Sequence, residues 1–357
     1  MINVTKSFLP PYEEYEVYLK QIWESSYLTN NGPCVQQLEQ QMRDYLKTDY
    51  FHYVSNGTVA LQLALHALDI MGGEVITTPF SFVATTTSIL WEHCTPVFVD
   101  IDPHTFCIDP LKIEEKITDQ TKAIMAVHVF GYPCAVDEIE QIAKKHHLKV
   151  IYDAAHAFGC VYKGKSLLCY GDVSTCSFHA TKVNHTIEGG AVIAKEKSVS
   201  DKLKLMRQFG YVQEDYQEMG INAKCSEVHA AMGLTNFPHL DDVILKRKRI
   251  SERYDDLLDG LVTRPCEVED LVYNYAYYPV LFENEQQLLR VFESLNREQI
   301  YPRRYFYPSL NTLPYLKEHS ICPISEDISS RIACLPLYPM LTEEEVVHIC
   351  DLIKQAL

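Results

Sequence analysis

Lys182 is the first residue of this chain whose type and setting point to chemistry. It stands in Ser177-Phe178-His179-Ala180-Thr181-Lys182-Val183-Asn184-His185-Thr186-Ile187-Glu188-Gly189-Gly190. A β-type run over 173–178 leads into this stretch, and the glycine pair leads into a second run, 191–194. The lysine therefore lies in a loop between two strands, not on a solvated helix face. An amine partly desolvated in such a place gives up its proton and forms a Schiff base with a carbonyl. The best-known carbonyl of this kind is pyridoxal phosphate, which acts as an electron sink. A surface lysine beside a glycine turn has the same local sequence, and this window leaves both readings open.

Other residues fit the same chemistry. Asp153 ends Val150-Ile151-Tyr152-Asp153, after apolar positions that belong in a core. It is either a helix N-cap or a charge that pairs with a protonated pyridine nitrogen. Phe82, in Pro79-Phe80-Ser81-Phe82-Val83, also follows a strand and can stack on a flat ring or pack in the core. Gly57 and Thr58 open a helix directly after the strand 50–54. Free backbone N–H groups, a glycine and a hydroxyl suit a phosphate there. An ordinary cap by Ser55 or Thr58 explains the same residues.

The elements that must position these groups alternate. Strands read at 50–54, 74–78, 97–100, 123–129 and 149–153, and helices at 59–68, 84–92, 110–116 and 136–146. This βαβα order implies a mainly parallel sheet covered on both faces, with ligands beyond the carboxyl ends of its strands. Two helices precede it, 15–25 and 35–46, joined by Leu28-Thr29-Asn30-Asn31-Gly32-Pro33, a turn or a pocket edge. Later come a helix at 199–209, a polar loop to Gly220 and a helical stretch over 226–258 whose run Lys246-Arg247-Lys248-Arg249 reads as a solvated face. A β run at 274–282, a helix at 285–295, a tyrosine-rich segment at 300–308 and a terminal helix at 342–356 suggest a smaller α+β unit.

Composition narrows the classes. With 357 residues, 47% hydrophobic and 22% charged, the chain is long enough for one large and one smaller domain. A net charge of −16 argues against a nucleic acid or an anionic membrane as partner. No apolar run approaches a membrane span and no signal-peptide layout opens the sequence, so a cytoplasmic location is expected. The 12 cysteines show no CxxC pair and read as reduced, mostly buried thiols; the 14 histidines show no metal-ligand spacing, so no metal is expected. No GxGxxG follows a strand, which removes a dinucleotide oxidoreductase.

Taken in order, Gly57-Thr58, the aromatic at 82, Asp-Ala-Ala-His-Ala from Asp153, and Ser-Phe-His-Ala-Thr-Lys ending at Lys182 resemble the sugar-nucleotide aminotransferases. Those are pyridoxal-phosphate enzymes of the aspartate aminotransferase fold. Ile187-Glu188-Gly189-Gly190, Gly220-Ile221-Asn222-Ala223-Lys224, the segment 301–308 and Leu335-Pro336-Leu337 extend the likeness over nearly the whole chain, with Lys182 standing 29 residues after Asp153.

The resemblance implies fold type I: a large α/β domain over 1–236 with a mainly parallel seven-stranded sheet, and a small α+β domain over 237–357 on which the N-terminal segment can pack. It implies that Lys182 carries pyridoxal 5′-phosphate and moves the proton of the transamination. Asp153 would face the pyridine nitrogen, His156 the phenolic oxygen and Phe82 the ring face. Gly57, Thr58 and Ser177 would hold the phosphate, joined by Asn222 from a neighbouring subunit in a homodimer with shared sites. Asn30, Glu188, Lys224, Tyr305 and Tyr307 would lie near the sugar nucleotide. Asn184 and Cys225, where the family often has an aromatic and a methionine, are expected at the pocket rim.

The implied reaction takes L-glutamate as donor, passes through the pyridoxamine 5′-phosphate form, and aminates dTDP-4-keto-6-deoxy-D-glucose. The product would be dTDP-4-amino-4,6-dideoxy-D-glucose, for O-antigen and other surface polysaccharide sugars. The alternatives are amination at C3 of a dTDP-3-keto-6-deoxyhexose and a non-catalytic regulator on the same fold. Related dehydratases carry a histidine in place of the lysine, which this chain retains.

Overall fold

The computed structural model describes residues 1–317 and 320–357. At its centre is a seven-stranded sheet: β1 Phe51–Val54, β2 Glu74–Thr77, β3 Thr95–Phe98, β4 Thr121–Val127, β5 Lys149–Asp153, β6 Val173–Ser177 and β7 Gly190–Ala194. Across the sheet the order is β1-β7-β6-β5-β4-β2-β3. The ladders β2–β3, β2–β4, β4–β5 and β5–β6 are parallel, and only β7 runs against its neighbours β1 and β6. The α/β fold class expected from the alternating pattern is the one observed.

Alternation along the strands divides the core. Ala123, Met125 and Ile151 face one layer, built with α3 (Gly57–Ala67) and α6 (Lys197–Met206). Ile124, Ala126, Val150 and Tyr152 face the other, where α5 (Val136–His146) packs. Beside it α1 (Tyr12–Ser25), α2 (Pro33–Leu46) and α7 (Glu227–Asn236) cover β1, β6 and β7. The N-terminus of α2 has no side-chain cap of its own. Glu227 of α7 supplies one, accepting from Cys34 N at 2.7 Å and Val35 N at 3.3 Å.

A separate core gathers β8 (Tyr278–Leu281), β9 (Ile332–Leu335), α9 (Glu285–Arg297) and α11 (Glu343–Ala356). Helix α8 (Leu240–Leu258) joins the two regions: Leu240 and Val243 lie in the sheet-side core, Tyr254 and Leu258 in the separate one. The first residues of the chain return to the second region, where Ile2 and Asn3 pair with Ile300 and Tyr301.

Several expectations need correction. Residues 110–116 form two 3-10 turns, Pro110–Lys112 and Glu114–Lys116, because two prolines and two aspartates crowd the approach (Asp102-Pro103 and Asp109-Pro110) and Asp109 caps the first turn. The helical stretch 226–258 is broken by a 3-10 turn at Phe237–His239, centred on Pro238. The basic run of α8 is not wholly solvated: Arg247 is buried, donating to the carbonyls of Ala276 at 3.1 Å and Leu337 at 3.0 Å. All twelve cysteines are free, and all but Cys169 and Cys266 are buried. Among the described residues no helix is long and apolar enough to cross a membrane.

Candidate active site

A cavity of about 320 Å³ opens at the carboxyl ends of β1, β4, β5 and β6. The strand ends deliver its polar groups, as parallel sheets generally do. Asn56, Gly57 and Thr58 follow β1, Asp153 ends β5 and Ser177 ends β6; all line the cavity with Phe82, His156, Lys182, Glu188 and Tyr305. Residues far apart in sequence are thus brought to one space.

Asp153 is 6% exposed. Its Oδ2 accepts from the Thr85 hydroxyl at 2.8 Å and its Oδ1 from Ala155 N at 3.1 Å. Ser81 stands 2.7 Å behind Thr85. Among the described residues no lysine or arginine pairs with this carboxylate. Burial raises its pKa, against the lowering effects of the Thr85 and Ala155 hydrogen bonds and of Lys182.

His156 accepts from Phe130 N through Nδ1 at 3.1 Å, which leaves Nε2 as the protonated nitrogen of a neutral ring. Burial, then the charge of Lys182, pushes its pKa well below the usual histidine range. The ring is parallel to that of Phe306, with centroids 5.6 Å apart.

The start of α3 is capped by Asn56, whose Oδ1 accepts from Val59 N at 2.9 Å, not by Ser55 or Thr58. Gly57 presses on Ser177: a Cβ there would lie 3.0 Å from Ser177 Cβ. Gly190 is tighter still, since its Cβ would come within 2.4 Å of the Asn56 carbonyl carbon. These contacts keep the helix start, Ser177 and the Lys182 loop in one register. Phe82 is 58% exposed, so its ring is not core packing.

Lys182 is half-buried, and its Nζ donates to the phenol oxygen of Tyr277 at 3.2 Å. Glu188 lies at the mouth of the cavity, 3.6 Å from His179 Nε2. Asn30, Asn222, Lys224 and Tyr307 do not line the cavity of this chain. Asn30 sits in the α1–α2 loop with its carbonyl accepting from Tyr27, and Tyr307 lies under the Arg304 guanidinium at 3.5 Å. Asn222 accepts from Lys224 Nζ at 2.8 Å on an exposed segment. Asn184 and Cys225 are buried at 2% and 8% exposure and lie off the lining, so the expected rim position is not what they occupy. Phe306, in the 305–307 stretch expected near the sugar nucleotide, lines the cavity, whereas Tyr277, Ser81 and Thr85 do not stand out in the sequence; the hydroxyl run Thr85-Thr86-Thr87-Ser88 in an otherwise apolar helix is the one signal that marks Thr85.

The sequence profile of the DegT/DnrJ/EryC1/StrS aminotransferase family matches residues 12–354. The chain belongs to this family. Within it, the dTDP-4-amino-4,6-dideoxy-D-glucose transaminase of Shigella dysenteriae is 41% identical, over 99% of this chain and 98% of that protein. The protein of the same name from Escherichia coli is 40% identical with the same coverage. Among solved structures of these aminotransferases, DesI in the presence of its TDP-sugar product superposes with a TM-score of 0.93 at 31% identity, over 99% of this chain and 92% of that one. The DegT/DnrJ/EryC1/StrS aminotransferases are pyridoxal-phosphate-dependent sugar transaminases, so the chain is an enzyme of that class.

Proposed function

We propose that the protein holds pyridoxal 5′-phosphate on Lys182 and transfers the amino group of L-glutamate to C4 of dTDP-4-keto-6-deoxy-D-glucose. The products are dTDP-4-amino-4,6-dideoxy-D-glucose, a precursor for surface polysaccharides, and 2-oxoglutarate. The observation that carries the reading is the convergence of the Lys182 amine, the buried Asp153 carboxylate and the open N-terminus of α3 on one cavity.

Those residues fit the cofactor. A carboxylate that is 6% exposed and without a cationic partner among the described residues suits a protonated pyridine nitrogen. The N–H groups at Gly57 and Thr58, with the Ser177 hydroxyl, suit a phosphate. The exposed ring of Phe82 suits stacking on a flat heterocycle. When bound, the cofactor supplies the carbonyl that takes the amino group and a ring that accepts the electron pair freed at carbon.

The protein's own groups do the rest. Lys182 takes a proton from one carbon and returns it to another, serving as base and then acid. Asp153, ionised, would hold the protonated ring nitrogen of the bound cofactor, and His156, neutral, would offer Nε2–H to its phenolic oxygen. Glu188 and Tyr305 at the cavity mouth contact the sugar nucleotide, with Asn30, Lys224 and Tyr307 farther out. Asn222 serves the cofactor phosphate of the partner copy in a homodimer; exposed Phe209 (46%), Met219 (62%) and Ile221 (44%) beside it support a covered face. The names of the two 40–41% identical relatives favour C4 over C3 and a transaminase over a regulator. The location proposed for the enzyme is the cytoplasm.

A visible spectrum of purified protein tests this. L-glutamate should remove the visible cofactor band, dTDP-4-keto-6-deoxy-D-glucose should restore it, and NMR of the product should show nitrogen on C4. Lys182→Ala should lack the band; its persistence would mean that another amine carries the cofactor.

A further inference from the structure

Among the described residues the Lys182 amine has one hydrogen-bond partner, the phenol oxygen of Tyr277 at 3.2 Å. Tyr277 lies 95 residues further along, just before β8, and lines the same cavity. Its own hydroxyl proton has no acceptor among the described residues.

The ring of Tyr277 is wedged between others. His156 meets it edge-on with centroids 4.8 Å apart, Phe130 lies at 5.5 Å and Tyr305 at 5.9 Å, again edge-on. Its backbone is pinned as closely. Asn274 donates to the carbonyls of His156 and Phe158, both at 2.8 Å, and accepts from Ala276 N at 3.0 Å. The Tyr273 hydroxyl reaches the carbonyl of Phe130 at 2.9 Å and, at 3.4 Å, that of Tyr277 itself. Arg247 holds the Ala276 carbonyl at 3.1 Å. Arg247 is 3% exposed and pairs with no carboxylate among the described residues. A guanidinium buried without an acid lowers stability, and this one serves two backbone carbonyls, Ala276 beside Tyr277 and Leu337 at 3.0 Å.

We propose that Tyr277 takes part in the reaction as the fixed acceptor of the Lys182 amine, and that Arg247 is the positioning residue that keeps it there. The proposal rests on Lys182 being the cofactor-bearing lysine. A neutral amine has two N–H bonds and one lone pair. Committing one N–H to a rigid oxygen fixes rotation about Cε–Nζ and turns the lone pair toward the open cavity, where the proton is taken up. The oxygen accepts from the amine and, more strongly, from the ammonium, so the contact lasts through the proton's arrival and departure. The unused phenol proton points a second donor at whatever oxygen enters the cavity.

Tyr277→Phe removes one oxygen and keeps the ring contacts. Its equilibrium cofactor loading and melting temperature should match the parent. The rate at which cofactor-free protein captures added pyridoxal phosphate, read from the rising visible band, should fall about 10-fold, and the single-turnover reaction with L-glutamate roughly 10–100-fold, less than the ~100–10,000-fold that a general acid or base itself supplies, because Tyr277 only orients the amine. Half-saturation by glutamate should move less than about 3-fold, because the loss falls on the chemical step. Deuterium at the glutamate α-carbon should slow the variant more than the parent. Capture and turnover within twofold of the parent would overturn the proposal. Should Tyr277→Phe lose its near-ultraviolet circular dichroism, 3-fluorotyrosine at 277 replaces it: a shifted pH profile of capture supports the proposal, and an unchanged one refutes it. A visible band surviving in Lys182→Ala would instead strike the cofactor reading, a separate result.

Discussion

The Thr85 hydroxyl donates to the buried carboxylate of Asp153 across 2.8 Å, linking the first turn of α4 (Val83–Trp91) to the end of β5. That bond lowers the pKa of an acid that burial raises. Thr85→Val should therefore move the acid limb of kcat/KM to higher pH. At neutral pH the loss should be about 10–100-fold, the equivalent of one hydrogen bond to a charged group. A pH–rate profile checks it, and an unmoved acid limb would show that the bond does not govern Asp153.

Asp153→Asn separates stability from turnover. A carboxyl whose folded pKa is raised contributes stability below its unfolded pKa and loses it as pH rises through the folded value. The cofactor-free protein therefore carries a cost at neutral pH that Asp153→Asn removes. Its melting temperature should rise by roughly 1–2 °C per kcal/mol released in a chain of this size, the gain shrinking on acidification. Turnover of the loaded variant should drop by about 100-fold or more, since in the proposed role of Asp153 the ring nitrogen would lose its anion.

His52 and His128 act in the opposite sense. Both are buried and both are pushed down to about 3, chiefly by burial. The unfolded chain binds protons at these sites from about pH 6.5 downward while the folded one does not. Stability should thus fall as pH drops from about 6.5 toward 3, with a slope near 1.4 kcal/mol per pH unit for each histidine. Denaturation at stepped pH reads this, and His52→Gln should flatten the slope by one histidine's share.

Arg207 of the segment after α6 and Glu39 of α2 form an ion pair in which both side chains are 8% exposed. Glu39 also accepts from Tyr53 N at 2.7 Å, so the pair secures β1 just before the cavity. Arg207→Met leaves that buried carboxylate with only the longer Arg43 contact at 3.8 Å, and should cost about 3 kcal/mol in urea denaturation. Removing both partners, with Glu39→Leu added, should recover most of it.

Much of the site was legible where chemistry and strand ends coincide. Asp153 closes an apolar strand, Lys182 lies between two strands, and Gly57-Thr58 opens a helix; each stands out against its neighbours. Tyr277 did not, because Tyr273, Tyr275, Tyr277 and Tyr278 crowd one short β-type stretch and only packing selects which of them meets Lys182. Arg247 was hidden in a basic run whose other members follow the solvated pattern. The break in 226–258 at Pro238 could be read from the proline, whereas Glu227 capping α2 across 193 residues could not. Asn222 lies outside the cavity of its own chain, and no single-chain pattern can say what a second copy brings.

Of the two antiparallel junctions in the central sheet, β1–β7 and β6–β7, the second joins strands that follow one another directly in the chain. Every other neighbouring pair of sheet strands is joined through a long excursion of chain, and closing such loops is the slow part of building a parallel sheet. The β6–β7 hairpin closes on itself, carrying Ser177, Lys182 and Gly190 within a single contiguous span. The lysine loop is thus specified by local pairing and needs no distant partner to take shape. Asp153, by contrast, reaches the cavity only when the crossovers are complete. The Lys182 amine is held by the part of the sheet with the shortest memory of the chain's length, and the Asp153 carboxylate by the part with the longest.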